Sequence, residues 1–111
     1  GAPRAALRVP AARMALVGEG ERSVLRAVGA TGPDCWVVLF EDAEGTGLRG
    51  LTLDGGGGAG GVRFARGPMT GRGEGARVRL VDLAFRSLGG PPIGADPDLP
   101  LRIGAEGLPP N

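Results

Sequence analysis

Few side chains in this sequence could move a proton or attack a substrate. Its 111 residues include no His and no Tyr, and all 13 basic residues are Arg, so acid–base work near neutral pH falls to the 12 Asp and Glu side chains. The lone cysteine, Cys35, stands beside Trp36 and ahead of Val37-Val38-Leu39-Phe40, where a buried small residue is expected. A nucleophilic thiol would need a base, and no His exists to serve. A single Cys cannot form an internal disulfide either, so it says nothing about redox compartment.

The remaining motifs have plain structural explanations. Gly55-Gly56-Gly57-Gly58-Ala59-Gly60 formally satisfies G-x-G-x-x-G, yet no amphipathic helix follows to receive a pyrophosphate, and the Lys and Ser/Thr of a P-loop are missing. The Arg/Gly stretch from Arg66 to Arg79 has four Arg but no interleaved aromatic ring, which is the pattern of a loop entering a strand. A formal net charge of +1 creates no global field for nucleic acid, and no apolar run approaches the roughly 18 residues of a membrane span. Neither a nucleic-acid partner nor membrane insertion is expected, and no pattern points to a cofactor or a metal. The exclusive use of Arg most economically reflects a GC-rich coding sequence. Because the chain opens on Gly1, a removed leader or larger N-terminal region is allowed for.

The elements that would position any site recur at equal spacing. Leu16-Val17-Gly18-Glu19-Gly20, Leu48-Arg49-Gly50-Leu51-Thr52-Leu53-Asp54 and Leu80-Val81-Asp82-Leu83-Ala84-Phe85-Arg86 place Leu16, Leu48 and Leu80 each 32 residues apart. A fixed period of roughly 20–50 residues is the mark of stacked repeats that bury their apolar faces against one another. With 41% apolar residues but only three Phe and one Trp, the core suits thin layers of Val, Leu and Ala. Strands are expected over residues 14–17, 23–28, 35–40, 48–54, 62–64 and 77–88, with Gly50 marking a bend or a shift of register. Residues 1–12 are an Ala-rich, helix-friendly lead-in broken by Pro3 and Pro10. Residues 89–111 are a Pro/Gly-rich tail or incomplete cap with room for one brief strand at Leu101-Arg102-Ile103.

The segments "MALVGEGERSVLRAV", "VVLFEDAEGTGLRGLTLDGGG" and "ARVRLVDLAFRS" resemble the pectate-lyase-like right-handed parallel β-helix superfamily over about residues 13–88. The resemblance implies an all-β solenoid segment of three to four coils. Polysaccharide binding is implied too, with processing, of a lyase or glycoside-hydrolase kind, in a longer parent. An extracellular, cell-envelope or virion setting is implied in the same way. Acid–base work on a glycosidic bond or a uronate requires paired carboxylates or a carboxylate-held cation with a basic residue. The nearest candidates are Asp54 and Asp82, with Arg49, Arg63, Arg79 and Arg86 to bind substrate. The Asp pair with Gly-His-Gly of polygalacturonase-type hydrolases has no counterpart here. Two rival readings are a structural or adhesive β-solenoid that self-associates through open coil ends or awaits missing coils, and a small antiparallel β-sandwich. Strand neighbours 20–35 residues apart favour the coils, whereas hairpins favour the sandwich.

Overall fold

The computed structural model describes residues 2–20, 22–29, 32–71 and 75–107. It has nine strands and, among the described residues, no helix: β1 (Arg4–Val9), β2 (Ala15–Val17), β3 (Val24–Arg26), β4 (Cys35–Phe40), β5 (Thr46–Asp54), β6 (Gly60–Phe64), β7 (Ala76–Arg86), β8 (Ile93–Ala95) and β9 (Leu101–Glu106). From β4 onward successive strands alternate between two sheets. The first sheet runs β1-β4-β6-β8 and the second β2-β5-β7-β9, with β3 also on β5. Every pairing is parallel, at offsets from 24 residues (Trp36 to Gly60) to 32 (Leu16 to Leu48). Parallel neighbours at these distances exclude the antiparallel sandwich, which needs hairpins. The fold is all-β with parallel sheets, arranged as four layers: β1 with β2 and β3, β4 with β5, β6 with β7, and β8 with β9.

The core follows from residues stacked in register. Leu16, Leu48 and Leu80 stand opposite one another across three layers of the second sheet, so the equal spacing of the sequence is a physical column. On the first sheet Val9, Phe40, Phe64 and Ala95 form another. The Phe40 and Phe64 rings stack with centroids 5.4 Å apart and planes 5° from parallel, an arrangement that adds about 0.5–1.5 kcal/mol to their burial. All six residues of β4 are buried, as a continuous Val- and aromatic-rich run requires.

The second sheet bends sharply in mid-strand. Gly50 has φ +64°, and a Cβ there would lie 2.8 Å from the Gly18 carbonyl oxygen, so only glycine fits. Asp82 takes the same place in the next layer with φ +50°, between the register pairs Arg49–Val81 and Leu51–Leu83. At this corner the inward positions change parity: Leu48 gives way to Leu51 and Leu53, and Val78 and Leu80 to Leu83.

Both ends of the chain depart from the sequence expectation. The helix-friendly lead-in contains β1, which pairs with β4 from Arg4 opposite Cys35 to Val9 opposite Phe40. Tertiary pairing with an apolar strand overrides the helix preference of Ala, since local propensity is small beside tertiary contacts. The tail contains two strands, β8 and β9, and β9 extends to Glu106. The expected turn residue Glu21, Arg72 of the Arg/Gly stretch, and Pro109 and Pro110 lie outside the described residues.

Candidate functional site

The glycine tract is consumed by the fold. Gly55 N donates to the Arg86 carbonyl, Gly56 N to Asp54 Oδ1, Gly57 N to the Ser87 carbonyl, and Gly58 N and Ala59 N to the Gly55 carbonyl. With these N–H groups engaged, the loop offers no cradle of free donors to a phosphate. Glycine is needed because adjacent layers touch through backbone: a Cβ at Gly89 would lie 2.7 Å from the Gly57 carbonyl oxygen.

The six candidate residues separate into two groups. Asp54 is buried, and its carboxylate lies between Arg86 at 3.2 Å and Arg26 at 3.9 Å, its register neighbours in the layers on either side. The Gly56 amide, followed by Arg86 and Arg26, holds its carboxyl below the usual carboxylate range despite burial. A group kept ionised in this way serves as a layer tie, and Arg86 is drawn into the same tie. Asp82 is exposed at the bend four residues before Arg86, roughly 13 Å along the strand from the Asp54 position, so the two carboxylates are not brought together.

Arg63 is also a tie. Its side chain is 16% exposed, with Nη1 3.4 Å from Asp34 Oδ1 and Nη2 3.0 Å from Asp96 Oδ1. The guanidinium lies 5.9 Å from the centre of the Trp36 ring, close enough for a cation–π contact. Asp34 enters β4, Arg63 sits on β6 and Asp96 follows β8, so one side chain joins three layers.

Arg49 and Arg79 face solvent on the second sheet, before the bend. Beside Arg79 runs a shallow groove of about 750 Å³ lined by Arg77, Arg79, Arg102, Ile103, Gly104 and Glu106, with Gly45 and Thr46 at one end. Arg77 and Arg102 are register neighbours on β7 and β9, which places two cations on strands about 4.8 Å apart. Glu44 accepts hydrogen bonds from Arg77 N at 3.1 Å and Nε at 3.3 Å, which hold its carboxyl below the ordinary range. Arg79 meets Glu106 at 3.5 Å, while Arg102 has no ion pair among the described residues. Gly104 leaves the floor open, since the nearest atom to a Cβ there would be 3.9 Å away. Arg49 lies one layer below Arg79 and two residues along, roughly 8 Å away between Cα atoms.

Arg77 and Arg102 were not among the sequence candidates for substrate binding. Their only signal was outward alternation in Arg77-Val78-Arg79 and in Leu101-Arg102-Ile103. Among the described residues, no three His, Cys, Asp or Glu side chains gather as a metal site. No family model matches the chain, and comparison with curated proteins and with solved structures finds no match.

Proposed function

We propose that this chain is a segment of a right-handed parallel β-helix of the pectate-lyase-like kind, and that its arginine-lined groove binds an acidic polysaccharide. Strands that alternate between two parallel sheets are the connectivity of such coils. The right hand is the expected one, since parallel crossovers are right-handed in about 98% of cases. The observation that carries the ligand reading is the exposed Arg77–Arg102 pair, with Arg79 beside it and Gly104 open on the floor. Glu44 pairs Arg77 and Glu106 pairs Arg79, so the charge left for an anionic ligand is that of Arg102, flanked by the other two guanidinium groups, and strand spacing is comparable to the length of one sugar unit.

The position of the carboxylates favours binding over catalysis within this segment. Asp54 is ionised and tied, and Asp82 stands apart from it, so the pair does not form a facing acid and base. A structural or adhesive solenoid segment is the second reading that this arrangement supports. Isothermal titration with polygalacturonate and with neutral dextran tests the proposal. Binding is expected for the acidic polymer alone, weakened about tenfold in Arg79→Ala, the scale of one charge-assisted hydrogen bond. Equal affinity for both polymers, or none in a folded sample, rejects it.

A further inference from the structure

The register alone lays out the outer face of the second sheet before its bend. Arg49 stands opposite Val81, and Val81 opposite Glu106; Gly47 stands opposite Arg79, and Arg79 opposite Gly104; Arg77 stands opposite Arg102. Arg49 is therefore one layer below Arg79 and two residues along, while Arg102 is one layer above Arg79 and two residues back. The three form an oblique line. With strands about 4.8 Å apart and about 3.3 Å of rise per residue, each step of the line is roughly 8 Å and the whole roughly 16 Å between Cα atoms. These positions are on the face of the sheet and not its edge, so they keep their places whatever pairs with β2 or β9.

The same line holds the charge of this face that the fold leaves unpaired. All three arginines are exposed. Among the described residues Arg49 and Arg102 have no ion pair, whereas Arg77 is held by Glu44. Arg79, in the middle, meets Glu106 at 3.5 Å, with side chains 71% and 67% exposed. An ion pair so open to water is weak, and an anionic group can take the place of Glu106 on Arg79.

We infer that the acidic glycan of the proposed function crosses the strands obliquely along Arg102, Arg79 and Arg49, with the acid group of every second sugar facing the sheet. The inference rests on the polysaccharide reading and narrows it. One sugar unit is comparable to the strand spacing of about 4.8 Å, so a step of roughly 8 Å is nearer to two sugars than to one. A chain lying straight across the strands would pass from Arg102 to Arg77, whose charge Glu44 already meets. A chain along β7 would meet Arg77 and Arg79, both paired, and then Val81; one along β9 would pass from Arg102 over Gly104 to Glu106, which repels it. Of these paths only the oblique one joins the two arginines that lack an ion pair.

The experiment is calorimetric titration of oligogalacturonides of increasing length into wild-type protein, Arg49→Ala, Arg49→Lys and Glu106→Gln. Wild-type affinity is expected to rise until the chain bridges Arg102 and Arg49, at about five sugars with the first, third and fifth acids facing the sheet, and then to level off. Arg49→Ala levels off about two sugars earlier and binds the longer chains about tenfold more weakly. Arg49→Lys keeps a cation at that position and restores the longer plateau. Glu106→Gln frees Arg79 and tightens binding about threefold. Arg49 has no ion pair in the fold to lose, and an unchanged β spectrum verifies each variant. A folded wild type that binds no length rejects the polysaccharide reading and this inference with it. Wild-type binding whose plateau Arg49→Ala leaves in place or shortens by one sugar overturns the inference and spares the polysaccharide reading. So does a plateau that Arg49→Lys fails to restore, or weaker binding in Glu106→Gln.

Discussion

Arg63 and Arg102 lie on adjacent layers, one on each sheet, and their surroundings are opposite. Arg63 has a carboxylate in the layer on either side, an aromatic ring beneath it and little contact with water. Arg102 has another arginine opposite it and no ion pair among the described residues. The same side chain is a fastener in one place and a solvent-facing cation in the other. The register neighbours of Arg63 are Leu39 and Gly94, and its carboxylates come from Asp34 and Asp96 just outside the adjacent strands, whereas Arg102 stands opposite Arg77.

The largest effect that sharpens this contrast is expected at the fastener. Arg63→Ala leaves Asp34 and Asp96 without their shared partner and costs about 2–3 kcal/mol of stability, as lost hydrogen bonds to charged groups do. Urea denaturation measures that loss, and affinity for polygalacturonate in the folded variant stays unchanged. Arg102→Ala should do the reverse. Binding weakens about tenfold, while stability holds within about 0.5 kcal/mol, because Arg77 keeps its Glu44 partner and Arg102 has no ion pair to lose.

Gly104→Leu asks whether the groove itself matters. Its backbone is not in the left-handed region and a Cβ meets nothing closer than 3.9 Å, so the substitution fills the floor without strain. A severalfold loss of affinity with an unchanged melting temperature is expected by calorimetry and circular dichroism. Loss of stability instead would show that the open floor is a packing requirement.

The smallest effect concerns pH. Asp54 and Glu44 both have carboxyls held below their ordinary values, so the stability they contribute is fully present above about pH 5 and lost as pH falls through the lowered values. Melting temperature is expected to be flat from pH 7 to 5 and to fall below 4, less steeply in Asp54→Asn. An identical acid limb in that variant would remove Asp54 from the set of layer ties.

The sequence made the stacking legible wherever the period holds. Leu16, Leu48 and Leu80 were visible as a column because the second sheet keeps a 32-residue offset through its first three layers. The Arg77–Arg102 pair was not visible because the connection from β7 to β9 shortens that offset to 25. β1 and β8 escaped notice because Ala-rich and Gly-containing segments lack a pattern of their own and become strands only by pairing with β4 and β6. Asp54 stood out as a carboxylate on a repeated segment, but its engagement with Arg26 and Arg86 depends on contacts from two other layers. For the same reason Arg63, spaced much like the other candidates, could not be told from a ligand-binding arginine.

The proposal that the exposed arginines of the second sheet read negative charge stands or falls on a titration of polygalacturonate into wild-type protein and Arg102→Ala across a salt series. Displacement of counterions by arginine makes wild-type affinity fall steeply with salt, and removal of one contributing charge flattens the slope by about one unit of log K per unit of log salt. Affinity that is independent of salt, or a slope that Arg102→Ala leaves unchanged, contradicts it.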